Sequence, residues 1–251
     1  VAARLIKHWH YYSIAAAVIA IAVGYFLYGW YHNPEPVQRE TEQLSQTEPA
    51  TLDPKPARPE LTTTDDSSLL RLINAEYRLA ADYQPPNLVL PDVSLDTRNP
   101  ESQMRLRVEA AAALEQMFSA AKQEASLNLQ LASGYRPYST QAAIYNASGG
   151  VNQSLVAVPG GSEHQSGLGA DIKREDFVCR LEECFGNQPE GEWTAANSHR
   201  FGYILRYPEG KEDITGISYE AWHFRYVGEE LAEIVHEEEL TLEEYYQGQV
   251  Q

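Results

Sequence analysis

Cysteine is nearly absent: Cys179 and Cys184 are the only two in 251 residues. A single pair excludes a disulfide-built scaffold and lacks the second pair that a four-cysteine structural zinc site would need. Two readings remain, a local disulfide and two free thiols. The disulfide is favoured wherever the surroundings are oxidising, and closing so short a loop would contribute roughly 2 kcal/mol on the chain-entropy model. Basic residues are scarce too. The 19 Lys and Arg stand against 36 Asp and Glu, a net charge of −17, and most of that excess falls after residue 67. So acidic a surface repels phosphates, which excludes nucleic acid as a partner. No internal repeat is visible.

Charge of either sign is missing from Tyr11 to Tyr31, a stretch rich in Ala, Ile, Val and Tyr. As a helix it would be roughly 31 Å long, enough for the hydrocarbon core of a bilayer. A cleaved signal peptide is the rival, but its apolar core is shorter and ends in small residues. This stretch ends in Tyr25, Phe26, Tyr28, Trp30 and Tyr31, which suit a membrane interface. Arg4 and Lys7 precede it and acidic residues follow. The expectation is therefore a cytoplasmic N-terminus over residues 1–10, a transmembrane helix over 11–31 and everything later outside. Residues 32–67 have almost no large apolar side chains and carry six prolines amid Glu, Gln and Thr. Such a segment buries no core and reads as a disordered linker.

Residues 68–251 are ample for one α+β domain. Leu69, Leu70, Ile73, Tyr77 and Leu79 follow a helical period. Asn99-Pro100 predicts a helix start, and Leu106, Ala110, Ala113, Leu114, Met117, Phe118 and Ala121 form one apolar stripe behind it. Leu127, Leu129 and Leu131 alternate as a half-buried strand. A short helix capped by Ser139, a strand entered through Gly167-Leu168-Gly169, a helix over 193–200 and strands over 203–207 and 217–227 follow. The acidic tail from Glu229 to Tyr246 predicts one or two amphipathic surface helices.

Ser162-Glu163-His164-Gln165-Ser166-Gly167-Leu168-Gly169-Ala170-Asp171 offers an imidazole and a carboxylate seven residues apart. Glu220-Ala221-Trp222-His223 offers a second imidazole. Taken singly, His164 reads as a loop histidine, Asp171 as a cap and His223 as a core residue. Together, two His and one Asp make a catalytic zinc set, with the fourth position left for water. Hydrolysis then requires a base that is not itself a ligand, and Glu220 is the candidate. In a regular strand Glu220 and His223 would point to opposite faces, so Glu220 must sit on a turn or bulge. Arg136, in Ser133-Gly134-Tyr135-Arg136, can pair with a carboxylate or a developing oxyanion; a surface salt bridge is its plainer reading. Of the remaining histidines, His199 and His236 fit no ligand spacing and His8, His10 and His32 flank the uncharged span, so all five read as structural or solvated.

These motifs, with Gln141, resemble the VanY-like D-alanyl-D-alanine carboxypeptidases, a family of LAS-type zinc peptidases, over about residues 69–246. One departure is Gly169, where the family's Gly-x-Ala-x-Asp spacing has Ala. The resemblance implies a small, mostly antiparallel sheet with packed helices, the LAS or hedgehog-like fold. It implies Zn2+ held by His164, Asp171 and His223, with Arg136, Gln141 and Ser162 facing the substrate. The expected activity is removal of the terminal D-amino acid from peptidoglycan stem peptides, with Glu220 as general base. An L,D-carboxypeptidase, a cell-wall endopeptidase and a non-catalytic wall-binding module are the alternatives. An acidic domain should not cling to an anionic wall, which leaves the N-terminal helix as its means of localisation, on the outer face of the membrane.

Overall fold

A computed structural model describes residues 58–150, 154–176 and 178–249 of the chain. The residues expected to form the cytoplasmic N-terminus, the transmembrane helix and most of the linker lie outside that range. Among the described residues no helix is long and apolar enough to cross a membrane.

The fold is α+β. In chain order, a two-residue strand β1 (Leu88–Val89) pairs antiparallel with β2 (Leu106–Arg107). Helix α1 (Val108–Ala125) leads to β3 (Leu129–Ser133), α2 (Tyr138–Ala147) and β4 (Gly169–Arg174). Then come α3 (Pro189–Asn197), β5 (Tyr203–Leu205), the single turn α4 (Glu212–Thr215), β6 (His223–Tyr226), α5 (Glu229–Glu237) and α6 (Leu242–Gln249). The main sheet has the order β3-β4-β6-β5, with every pair antiparallel.

Helix α1 forms because Ala110 to Ala113 cost little side-chain entropy. It stays because Ala110, Ala113, Leu114, Met117, Phe118 and Ala121 recur on one buried face. That face covers the sheet side carrying Ala170, Ile172 and Phe224, and these residues share one core. Strand alternation then sends Asp171 and Lys173, and His223 and Arg225, to the opposite side. A second core, with Leu61, Leu72, Ile204, Leu231 and Leu242, joins α5 and α6 to the N-terminal strap.

Four expectations need correcting. Residues 69–80 are not helical; their apolar side chains are buried, but the carbonyls of Leu69, Arg71 and Ile73 accept hydrogen bonds from Arg225 and Arg206 instead of from a helical ladder. Asn99 does not open the long helix. Its amide donates to Ala132 O, and the helix starts at Val108, so Leu106 belongs to β2. The strand expected over 217–227 shortens to His223–Tyr226. Residues 58–67, assigned to the linker, pack on the fold: Leu61 is buried and Pro59 O accepts from Tyr245 and Gln249.

Candidate metal centre

His164 lies in a 3₁₀ turn over Glu163–Ser166, and Asp171 and His223 stand opposite each other in the β4–β6 register. Directly paired residues share a face, which brings the second imidazole to the carboxylate. His223 Nδ1 is 2.9 Å from Asp171 Oδ1, and His164 Nε2 is 3.3 Å from Asp171 Oδ2. One donor atom from each of the three residues lies within 4.8 Å of the others, and all three residues are buried. The approach is close at Gly169, where a Cβ would sit 3.2 Å from His223 Cε1 and 3.3 Å from His164 N, so that alanine at this position needs its neighbours to give by a few tenths of an ångström.

The remote nitrogens are engaged as well. His164 Nδ1 donates to Gly134 O at 2.6 Å, and His223 Nε2 donates to Glu163 Oε2 at 3.4 Å. These bonds select the tautomers that leave His164 Nε2 and His223 Nδ1 facing Asp171, which is how a metal-binding histidine is oriented from behind. Burial works to lower the His223 pKa, but hydrogen bonds to Asp171 and Glu163 push it up to about 10. Burial lowers His164, with Asp171 acting the other way. Burial also opposes the Asp171 charge, yet the two imidazoles hold its carboxyl well below the usual range. The site thus favours a positive charge at His223 Nδ1, a proton in the bare protein, and metal binding at such a site displaces that proton. The donor set fits zinc.

Glu220 sits just before β6, on the turn that its spacing from His223 demands: His223 N–H donates to Glu220 O at 3.2 Å. Its Oε2 is 4.0 Å from His223 Nδ1, and its side chain is only 20% exposed. Burial pushes its pKa up to about 7, with His223 drawing it down. Arg136 Nη1 donates to Gln141 Oε1 at 2.9 Å, and Gln141 Nε2 donates to Ala157 O at 2.7 Å. Gln141 therefore aims the guanidinium, and Ser162 is buried beside them. Together with Glu220 and Tyr207 they line a cavity of about 260 Å³ that contains all three proposed ligands. A larger hollow, about 350 Å³, lies beside His199 and His236, which stack on each other 3.7 Å apart. It gathers no ligand set, so chemistry and not size identifies the site.

Two partners went unread in the sequence. Glu163 has no exposed side-chain surface; its Oε1 accepts from Arg206 Nε and from Arg225 Nη1, both at 2.8 Å, and both arginines are fully buried. Arg206 also pairs with Glu243 at 2.6 Å. Tyr207 stacks on the His223 ring, centroids 5.1 Å apart. The available signal was a glutamate adjoining a ligand histidine together with one arginine in β6 and another just after β5.

Residues 103–229 match the family described as VanY: D-alanyl-D-alanine carboxypeptidase. The protein YodJ of Bacillus subtilis (strain 168) is 40% identical over 191 residues, covering 74% of this chain and 70% of YodJ. Among solved structures, the LdcB LD-carboxypeptidase superposes with a TM-score of 0.70 at 40% identity, covering 73% of this chain and 88% of that one. A vancomycin-resistance D,D-pentapeptidase, VanY, solved in complex with Zn(II), gives a TM-score of 0.54 at 34% identity, covering 71% and 98%.

Proposed function

The chain belongs to the VanY family of D-alanyl-D-alanine carboxypeptidases and is a zinc metallopeptidase acting on peptidoglycan peptides; from that premise we propose that it removes the terminal D-alanine of peptidoglycan stem peptides, with D,D specificity. The observation that carries the hydrolytic part of this reading is Glu220, a half-buried carboxyl whose pKa burial pushes up to about 7, beside the His/Asp/His set but outside it. His164 Nε2, Asp171 and His223 Nδ1 would hold the zinc. When bound, zinc supplies a Lewis acid that polarises a carbonyl and lowers the pKa of water to about 7. Glu220 takes the proton of the attacking water and delivers it to the leaving amine; a base with a pKa near the working pH does both. Arg136, steadied by Gln141, donates to the peptide's terminal carboxylate or to the oxyanion that develops on the scissile carbonyl. The Gly134 carbonyl and Glu163 keep the two imidazoles in their working tautomers.

A second reading, L,D specificity, draws support from LdcB, which superposes with the higher TM-score. Both follow from one measurement on the zinc-loaded protein. Pentapeptide stems shortened by the mass of one alanine, with tetrapeptides left intact, are the expected result for D,D; shortening of the tetrapeptide instead means L,D. Chelation should abolish either activity and zinc restore it. If neither stem loses mass with zinc present, the proposal fails.

For localisation we propose a single-pass membrane protein with this domain outside. Protease added to protoplasts is expected to degrade the domain and spare residues 1–10. A domain shielded until the membrane is broken would reverse the orientation.

A further inference from the structure

The disulfide between Cys179 and Cys184, five residues apart with Cα atoms 5.4 Å apart, closes a loop whose tip reaches the cavity. The residue that lines it is Leu181. Within three residues the loop holds Cys179 (φ 51°) and Leu181 (φ 40°) in the left-handed region, which side-chain-bearing residues avoid. Such a conformation persists only where its surroundings enforce it. Here both flanks are fastened. Before the loop, Arg174 grips Asp176 at 2.8 Å and Asp176 Oδ1 accepts from Val178 N–H. After it, Phe185 is fully buried and Gly186 lies so close to the Glu220 turn that a Cβ there would be 2.3 Å from Tyr219 Oη and 3.2 Å from Ala221 Cβ.

Around the polar floor the rim is aliphatic and aromatic: Ile144, Leu155, Leu181, Ile217 and Trp222. Leu155 is 61% exposed and Ile144 39%, so two of the most exposed large apolar side chains of the described residues stand at this one mouth. A cavity of about 260 Å³ is smaller than the ~300–1,000 Å³ that encloses a drug-sized ligand, and a peptide of four or five residues must run out across the rim.

We propose that Leu181, presented by the disulfide-closed loop, is a specificity-determining residue that packs on the aliphatic part of the stem peptide where it leaves the cavity. This rests on the carboxypeptidase reading above. The loop makes the enzyme prefer a long stem over a short one without touching the reacting atoms, and the crosslink holds the wall in place.

The test compares the full-length, zinc-loaded protein with Leu181→Ala and with the paired change Cys179→Ser and Cys184→Ser. Serine replacement is used because thiol reductants bind zinc. Each protein is given a full stem peptide and an acetylated dipeptide bearing the same terminal residue. Losing a half-buried leucine contact should raise KM for the full stem by about three- to tenfold, with kcat within twofold and the dipeptide unaffected. The serine pair, shown folded by circular dichroism, should move KM in the same sense. A KM for the stem that does not move in Leu181→Ala, or that moves equally for the dipeptide, would overturn the proposal. A wild-type KM in the serine pair would remove the crosslink from it. If the unmodified protein cleaves neither peptide, the carboxypeptidase reading itself has failed, a result separable from the others because it appears before any substitution.

Discussion

Glu220→Gln is expected to keep a full complement of zinc and a folded domain while turnover falls by about 10²–10⁴-fold, roughly 3–5 kcal/mol of barrier. The amide matches the carboxylate in shape and still accepts a hydrogen bond, but it takes no proton at neutral pH. Stability should move the other way. Burial raises the folded-state pKa of Glu220 from 4.5 to about 7. Between those values the folded metal-free protein binds more protons than the unfolded chain, so stability is lost as pH rises through that window. The cost above pH 7 is about 3 kcal/mol at most, less what its partial exposure screens. The glutamine variant does not carry it. Metal-stripped Glu220→Gln should therefore melt higher than the parent at pH 8, with the gap closing toward pH 4.5. Zinc content by atomic absorption, turnover of stem peptides and melting curves at the two pH values check the three parts. Turnover near the parent rate would remove Glu220 from the mechanism, and loss of zinc would make it a ligand.

The parts of the site that were legible in the sequence are those that local geometry governs. His164 and Asp171 are separated by small residues that let the chain fold back, and His223 lies three residues from Glu220, a spacing that parity forbids in a plain strand. Only a turn reconciles the two, and the His223 N–H bond to Glu220 O closes one. What was illegible depends on distant partners. Leu69, Leu70 and Ile73 have the spacing of a helix, but their segment takes an irregular path whose carbonyls are bonded by arginines more than 130 residues away in sequence, at Arg206 and Arg225. Arg225 shares a face with His223, and a charged residue there reads as solvent-facing; it has no exposed side-chain surface. Nothing local to Arg225 announces that Glu163 waits for it. Leu106 misleads for a similar reason: its phase fits the stripe of α1, while pairing with Val89 puts it in a strand.

Glu163 is where the largest loss of stability is expected. Its carboxylate is divided between two tasks: Oε1 receives Arg206 and Arg225, while Oε2 receives His223 Nε2. Burial opposes its charge, but the two guanidiniums hold its carboxyl well below the usual range. With Glu243 on the far side of Arg206, two positive and two negative groups balance in a buried cluster. Glu163→Ala leaves one positive charge uncompensated, out of reach of water. Breaking a buried pair from one side costs about 3–5 kcal/mol, far more than the pair's net worth against an apolar replacement. The surplus charge also lies directly behind the proposed ligand His223, and the imidazole loses its orienting acceptor. Losing such a partner weakens metal affinity by about 10–100-fold. Glu163→Gln keeps the shape and an acceptor oxygen for the arginines, so it should recover part of the orientation but not the charge balance, and fall between parent and alanine in both measurements. Arg105→Ala supplies the contrast, since its bond to Glu101 spans 3.4 Å with both side chains well exposed and should be worth no more than about 0.5 kcal/mol. Urea unfolding and zinc competition against a chromogenic chelator read the two effects separately. A Glu163→Ala protein that unfolds within 1 kcal/mol of the parent would show that the arginines find water or other acceptors, and parent-like zinc affinity would show that His223 needs no support from behind.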